Sequence, residues 1–491
     1  MTESVNSREL ILEILMEITE NGQYSHVILR DVLAKYQYLD KRERAFITRV
    51  TEGTLEHLIE IDYILDQFSK VRVKKMKPLI RDLLRSSVYQ LKYMDSVPDR
   101  AVCSEAVKLA GKRGFSGLKG YVNGVLRNIA RSMDDIAYPK EGIRALSVKY
   151  SCPEWILKLW EQTYDRETIE KMLSEFQKEK PLTIRCCQNH GTPEELKNRL
   201  EQEGVKVREH PYLSCAFEIE DYDYLEGLKS FRQGLFTVQD ISSMLAGELA
   251  DPQAGDQVID VCAAPGGKAL HAAEKIFMRE KKAGEKIGGA EETGKAPEGT
   301  DRCRKGHVEA RDLTESKVEL IRENIERIGL PNISAVCRDA SVPDNASVET
   351  ADVVIADLPC SGLGVLGRKA DLRYRVSPEG IESLAGLQRK ILACVKDYVK
   401  PGGSLIYSTC TVDPAENIDN VHWFLESFPE FSLDDITGRL CPELRDSVTE
   451  KGCIQLLPGV HKSDGFFIAR LIRDGKGRDD GYEKRYQSIP V

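Results

Sequence analysis

The chain has 491 residues, of which 41% are hydrophobic and 30% charged, and a formal net charge of −9. At about 150 residues per domain this length calls for two to four cores, and the composition excludes a disordered polymer. No run of about 18 apolar residues occurs and MTESVNSREL is no secretory signal, so a cytoplasmic chain with no membrane span is expected. Thirteen irregularly spaced cysteines without a C-x-x-C argue for reduced thiols, against a disulfide framework and against zinc, so no metal is expected.

The acidic total hides an asymmetry. Residues 1–130 carry 21 Lys+Arg against 17 Asp+Glu, a balance of +4, which leaves −13 for the rest. Residues 70–92 hold eight basic side chains against one acid, Asp82, and residues 106–133 hold six and none. Such local fields suit phosphate, although a solvated helix face has the same composition.

In chain order, Leu10, Ile11, Ile14, Leu15 and Ile18 form a stripe at helical spacing, and further helices are predicted at 41–57, 59–68, 77–91, 100–109 and 119–129. An all-α bundle is therefore expected over 1–135, followed by a helical linker over 136–180. Residues 181–240 change texture: LTIRCC reads as a strand, TPEELKNRLEQEG as a helix capped by Thr192, and AFEIE as a strand. This predicts a small α+β module. It lacks the paired aromatics of an RNA-recognition platform and suits a spacer as well.

From 241 to 474 short β-rich runs alternate with helices, which predicts an α/β, Rossmann-like doubly wound sheet with ligands at the strands' carboxyl ends. Residues 279–305, rich in Gly, Lys and Glu, read as a flexible insertion, and residues 475–491 as a tail.

The first chemistry-bearing motif is VIDVCAAPGGK at 258–268, a strand ending in a turn of small residues before a helix. Asp312 ends the next strand 45 residues after Gly267; without the 27-residue insertion the gap is 18, close to the roughly 20 expected of a ribose-binding acid. Asp339, at the end of the following strand, is placed to meet a base. Two strand-end acids beside a Gly-Gly turn point to a bound nucleoside. The second and third motifs, ADLPCSG and YSTCT, put Cys360 and Cys410 just beyond strand ends, where a thiolate can serve as a nucleophile. Histidines show no ligand spacing, and the three tryptophans sit in helical contexts.

Together DVCAAPGGK, ADLPCSGLG and STCT, followed by ENIDNV and DGFFIAR, resemble the Sun/Fmu family of RNA cytosine-5 methyltransferases. The N-terminal bundle, with its GYVNGVLR stretch, resembles the antitermination factor NusB, which marks the family's branch acting on bacterial small-subunit ribosomal RNA. The resemblance implies S-adenosylmethionine against Cys262, Ala263, Ala264, Pro265, Gly266, Gly267 and Lys268. It also implies Asp312 on the ribose, Asp339 on the adenine, and Asp357 at the methionine end or the target base. Cys410 would be the nucleophile and Cys360 the thiol assisting product release. Ala269 and Ala370 depart from the Ser/Thr and Pro usual at those positions. The implied partner is 16S ribosomal RNA, with a monomer expected; transfer RNA is the alternative substrate, and a non-catalytic RNA-binding protein the alternative of another class.

Overall fold

The computed structural model describes residues 6–288 and 305–475 and falls into two units. One, helical, comprises residues up to 178 together with Val365–Val376; the other comprises Glu179–Gly364 and residues from 377 onward.

The helical unit contains α1 (Ser7–Thr19), α2 (Ser25–Lys35), α3 (Lys41–Glu56), α4 (Leu58–Phe68), α5 (Pro78–Tyr93), α6 (Asp99–Lys112) and α7 (Lys119–Arg131). It continues through α8 (Gly142–Tyr150), α9 (Glu154–Trp160) and α10 (Arg166–Phe176), the stretch expected to be a linker. The apolar stripe of α1 is buried, in one core with Ile47, Val50, Leu84 and Leu126. Local signals start several helices: the Asn6 side chain accepts from Arg8 and Glu9 amides, Asp40 accepts from Glu43, and Pro78 opens α5.

Helix α2 has no such signal, because its N-cap, Tyr24, makes no side-chain bond. Its cap comes from Asp371, whose carboxylate accepts from the Ser25 amide at 3.2 Å and the Ser25 hydroxyl at 2.6 Å. Residues 365–376, expected as part of the catalytic domain, are grouped with the helices for this reason and because Ala370 joins their core.

In the second unit, β1 (Leu182–Cys186), β2 (Lys206–Glu209), β3 (Ala216–Glu220) and β4 (Phe236–Val238) form an antiparallel sheet in the order β2-β3-β1-β4. Helix α11 (Pro193–Gln202) opens with a full capping box between Thr192 and Glu195. Short α12 (Lys229–Arg232) and then α13 (Ile241–Ala250) lead into the large sheet.

There β5 (Gln257–Asp260), β6 (His307–Asp312), β7 (Ile333–Cys337), β8 (Ala351–Asp357) and β9 (Val399–Thr409) run parallel in the order β7-β6-β5-β8-β9. Helices α14 (Gly267–Gly288), α15 (Glu315–Ile328), α16 (Pro378–Val395) and α17 (Ile418–Ser427) accompany them. Separate apolar clusters around Ile276 and Ile321, and around Ile391 and Phe424, pack against the strands.

These five strands are the expected doubly wound part, and among the described residues an antiparallel extension continues the sheet beyond β9. Strands β10 (Phe431–Leu433), β11 (Val448–Glu450), β12 (Cys453–Leu456) and β13 (Phe466–Arg473) make only antiparallel pairings, so it is a mixed sheet of nine strands. No helix separates β12 from β13, and so short a connection joins strands only in antiparallel fashion.

A second correction concerns the insertion. Helix α14 continues through its first ten residues to Gly288, where a Lys/Glu-rich composition serves helix propensity as well as solvation. Arg279 reaches Asp251 at 2.6 Å, and Glu280 accepts from the Gly306 amide at 2.7 Å. Residues 289–304 of the expected insertion lie outside the described residues.

Candidate active site

The turn after β5 is shaped by its small residues. Gly266 has φ +108°, a region L side chains rarely adopt, and its amide bonds back to the Ala263 carbonyl. The Ala264 amide donates to Asp312 Oδ2 at 3.0 Å, and Asp312 Oδ1 accepts from its neighbour Leu313 at 2.8 Å. The acid at the end of β6 is thereby fixed against the turn. Pro265 is exposed and its carbonyl accepts from Asn324, while Gly267 begins α14. Burial and the carboxylates of Asp260, Asp312 and Asp357 push the Cys262 thiol up, which keeps it neutral.

Asp339 lies two residues past the end of β7, exposed, and the Ser341 amide holds its carboxyl below the usual range. Leu313 and Val342, close in sequence to the two acids, are exposed apolar side chains. Carboxylates with apolar neighbours at adjacent strand ends suit a ribose and a planar base.

Asp260, within the VIDVCAAPGGK motif but not singled out from sequence, is fully buried, and among the described residues no side chain donates to either of its carboxylate oxygens, the Cys262 backbone alone bearing on it. Burial raises its pKa to about 7 against the opposing pull of Lys268. A buried acid that no side chain donates to, at the head of this turn, fits a ligand carrying a cationic amine. The donor set of the cradle is therefore that of a nucleoside with a charged tail.

Across the same edge, Lys268 Nζ lies 2.6 Å from Asp357 Oδ2, and Ser408 Oγ donates to Asp357 Oδ1 at 2.8 Å. Cys360 and Cys410 follow β8 and β9, which pair in parallel, and their sulfur atoms stand 3.3 Å apart. The bond to Cys410, burial and the nearby charges hold the Cys360 thiol well above its ordinary range. Of the sequence-predicted residues the structure thus brings Cys360, Cys410, Asp357 and Lys268 to one strand edge, and Asp312 to the glycine turn. Gly364 and Gly465 cross backbone to backbone behind them: a Cβ on Gly364 would stand 2.1 Å from the Gly465 carbonyl oxygen.

Residues 302–472 match the family model described as 16S rRNA methyltransferase RsmB/F, residues 5–131 the NusB family, and residues 152–222 the RsmF/B-like ferredoxin-like domain. A relative from Bacillus subtilis (strain 168), described as "Probable ribosomal RNA small subunit methyltransferase B", is 35% identical over 473 residues, 95% of this chain and 99% of its own. The chain belongs to that methyltransferase B family. A second relative, "Ribosomal RNA small subunit methyltransferase B" from Cronobacter sakazakii (strain ATCC BAA-894), is 28% identical and covers 96% of this chain and all of its own, 100%. The fold is shared with the "Crystal Structure of PH0851", at a TM-score of 0.77 and 24% identity, over 95% of this chain and 99% of that one.

In this methyltransferase the basic stretches divide into two kinds. Arg81 and Arg85 are spent on Glu20, Asp62 and Asp82, and Lys92 on Glu60. Lys70, Lys74, Lys75 and Lys77 are exposed, as is Arg72 although it pairs with Asp66 at 3.3 Å, and a 2.6 Å bond from Ser69 to Tyr121 ties their loop to α7, where Lys119 and Arg127 are exposed too.

Proposed function

We propose that the chain transfers a methyl group from S-adenosylmethionine to C5 of a cytosine in 16S ribosomal RNA, through a covalent bond between Cys410 and C6. The observation that carries this reading is the pair of thiols 3.3 Å apart at two neighbouring strand ends, beside the Lys268–Asp357 pair. Asp260, Asp312, Asp339 and residues 262–268 would hold the cofactor, which when bound supplies an electrophilic methyl group.

The residues act on the base. C5 of cytosine is too weak a nucleophile to take a methyl group directly. Addition of the Cys410 thiolate to C6 gives an enamine-like adduct in which C5 carries the electron density. Asp357, held by Lys268 and Ser408, is the group to bind the N3 and N4 edge and to carry a proton to N3, which neutralises the negative charge that addition puts on the ring. After methylation a base, a water or Cys360, takes the C5 proton, the C–H pair re-forms the C5–C6 double bond, and the Cys410–C6 bond breaks with its pair going to sulfur. Cys360, kept as a thiol, is positioned beside the departing sulfur. The target must be unstacked to enter, which favours a loop or a flipped nucleotide. The exposed lysines of residues 70–77 supply a phosphate-binding face on the helical unit.

The deciding experiment is incubation of the purified chain with tritiated S-adenosylmethionine and unmodified small-subunit RNA, transfer RNA and DNA in parallel. 5-Methylcytosine in the ribosomal RNA alone is expected. Label only in transfer RNA would overturn the substrate, and bound cofactor without label on any RNA or assembling subunit would overturn the activity.

A further inference from the structure

Glu416 and Asn417 are neighbours in the ENIDNV stretch, whose presence the chemistry above leaves unexplained. Both are fully buried, and each grips the backbone around a different cysteine. On the Cys360 side, Glu416 Oε1 accepts from the Ser361 amide at 2.9 Å and from Gln388 Nε2 at 3.0 Å. Gln388 Nε2 also donates to the Pro359 carbonyl at 2.9 Å, so the residues before and after Cys360 are both fixed. On the Cys410 side, Asn417 Oδ1 accepts from the Thr409 hydroxyl, and Asn417 Nδ2 donates to the Thr411 carbonyl at 3.1 Å. The residues flanking Cys410 are thus fixed by one side chain.

The two grips are joined by hydroxyls. Ser361 Oγ donates to Glu416 Oε2, so its lone pair is left to accept from Thr411 Oγ1 at 2.9 Å, which in turn accepts from the Asp413 amide at 3.3 Å. With Glu416 accepting from Ser361 and Gln388, this chain runs in a single direction, from the loop of Cys410 to the loop of Cys360. The Tyr407 hydroxyl, donating to the Glu416 carbonyl, anchors the dipeptide to β9.

We infer that Glu416 and Asn417 are positioning residues that set the separation of the Cys360 and Cys410 sulfurs. The inference rests on the reading of those thiols as the reacting pair, but it concerns their spacing and can be measured without methyl transfer. A misplacement of about 1 Å costs on the order of 100-fold in rate when two groups must act in one geometry.

The test uses the full chain and two readouts. Phenylarsine oxide condenses with two close thiols, releasing one water, and its occupancy is read as protection of Cys360 and Cys410 from iodoacetamide in peptide mass maps. Methyl transfer to small-subunit RNA gives kcat and the cofactor KM. In Glu416→Ala the arsenical concentration for half-protection is expected to rise at least about tenfold, because the effective concentration of one thiol at the other falls. kcat is expected to fall about 100-fold with the cofactor KM within about twofold. Glu416→Gln, which keeps an acceptor for Ser361 and Gln388, is expected to restore most of both, and it serves if the alanine variant does not fold. Asn417→Ala should behave like Glu416→Ala. Wild-type arsenical capture in Glu416→Ala and Asn417→Ala, or a rise in KM with kcat intact, overturns the inference. A wild-type chain that captures the arsenical without methylating RNA, with capture lost in the variants, would refute the proposed function and support the clamp.

Discussion

Lys268 Nζ sits 2.6 Å from Asp357 Oδ2, so the first turn of α14 is joined to the carboxyl end of β8. The glycine turn and the Asp357 carboxylate are thereby joined, and Ser408 on β9 completes the link. Lys268 is buried, and its removal would leave Asp357 with one fewer donor. Asp357→Asn keeps the shape but cannot carry a proton to N3, so the negative charge that thiolate addition puts on the ring goes unneutralised. A fall in kcat of about 100- to 1,000-fold is expected, with cofactor affinity nearly unchanged by equilibrium dialysis. A Kd that worsened in step with kcat would move Asp357 to the methionine end of the cofactor.

The thiols should separate cleanly by phenotype. Cys410→Ala is expected to lower methyl transfer at least about 10,000-fold while binding cofactor normally, since no other nucleophile stands at C6. Cys360→Ala retains the first step and loses assistance at release, so a protein–RNA adduct resistant to denaturing electrophoresis should accumulate. Normal turnover by Cys360→Ala would remove it from the mechanism.

Asp260 gives a pH signature. Its folded pKa of about 7 lies above the ordinary 3.8. Over that window the folded chain holds a proton that the unfolded chain releases, so this group's contribution to stability falls as pH rises from 3.8 to about 7. Cofactor binding runs the other way, because the ionised form pairs with a cationic amine. S-adenosylmethionine affinity is expected to rise by up to about tenfold per pH unit below about 7 and then level off. Calorimetry across that range checks the slope, which Asp260→Asn should flatten; an unchanged slope in that variant would assign the proton elsewhere.

The exposed lysines make a claim about ionic strength. Lys74 and Lys75 follow the Ser69–Tyr121 bond and project from a short helical turn, whereas Arg81 and Arg85 are occupied by acids. Lys74→Gln with Lys75→Gln should reduce the slope of log affinity for RNA against log salt by about 0.7 to 0.9 per lost contact, without altering cofactor binding. Arg81→Gln should destabilise the helices rather than change the slope. Filter binding between about 50 and 200 mM salt distinguishes the two.

What was legible in the sequence follows from how local each determinant is. The α1 stripe, the Thr192 capping box and the turn from Asp260 to Lys268 are each specified within about a dozen residues, and the chain folds there as its pattern implies. Cys360 and Cys410 were legible because each closely follows a short apolar run, VVIADLP in one case and SLIYST in the other. Asp260 was hidden because it sits inside the apolar run VIDV, and only the fold shows an acid fully buried there with no side-chain donor. Glu416 and Asn417 were hidden because their partners lie on the loops after β8 and β9 and on α16. The antiparallel strands were missed because FFIARLIR is apolar on both faces and carries no direction of its own. Helix α2 was missed because its cap is 346 residues away.

That distant cap leads to a prediction about folding. Residues 365–376 place an anion at the start of α2 and a cation at the end of α8, both favourable to the helix dipoles. The anion is Asp371, which also accepts from Arg375 at 2.9 Å. The cation is Arg373, buried, donating to the carbonyls of Tyr150 at 3.1 Å, Ser151 at 3.3 Å and Leu366 at 3.1 Å. Ser151 adopts φ +47° after α8, and its hydroxyl accepts from the Glu60 amide, so the arginine secures a turn that two helices share. Asp371→Asn should cost about 1 to 3 kcal/mol, through a weaker cap and a lost ion pair. Arg373→Met should cost roughly 2 to 5 kcal/mol, because the Tyr150 and Leu366 carbonyls lose their donor while Ser151 keeps only the Tyr374 hydroxyl at 3.1 Å. Hydrogen exchange on the full chain localises the effect: amides of α2 should lose protection in the first variant and those of α8 and α4 in the second, while those of β5 and β6 keep theirs. Unchanged exchange in α2 and α8 would mean that the helices stand without this segment, and that residues 1–178 form a complete folding unit.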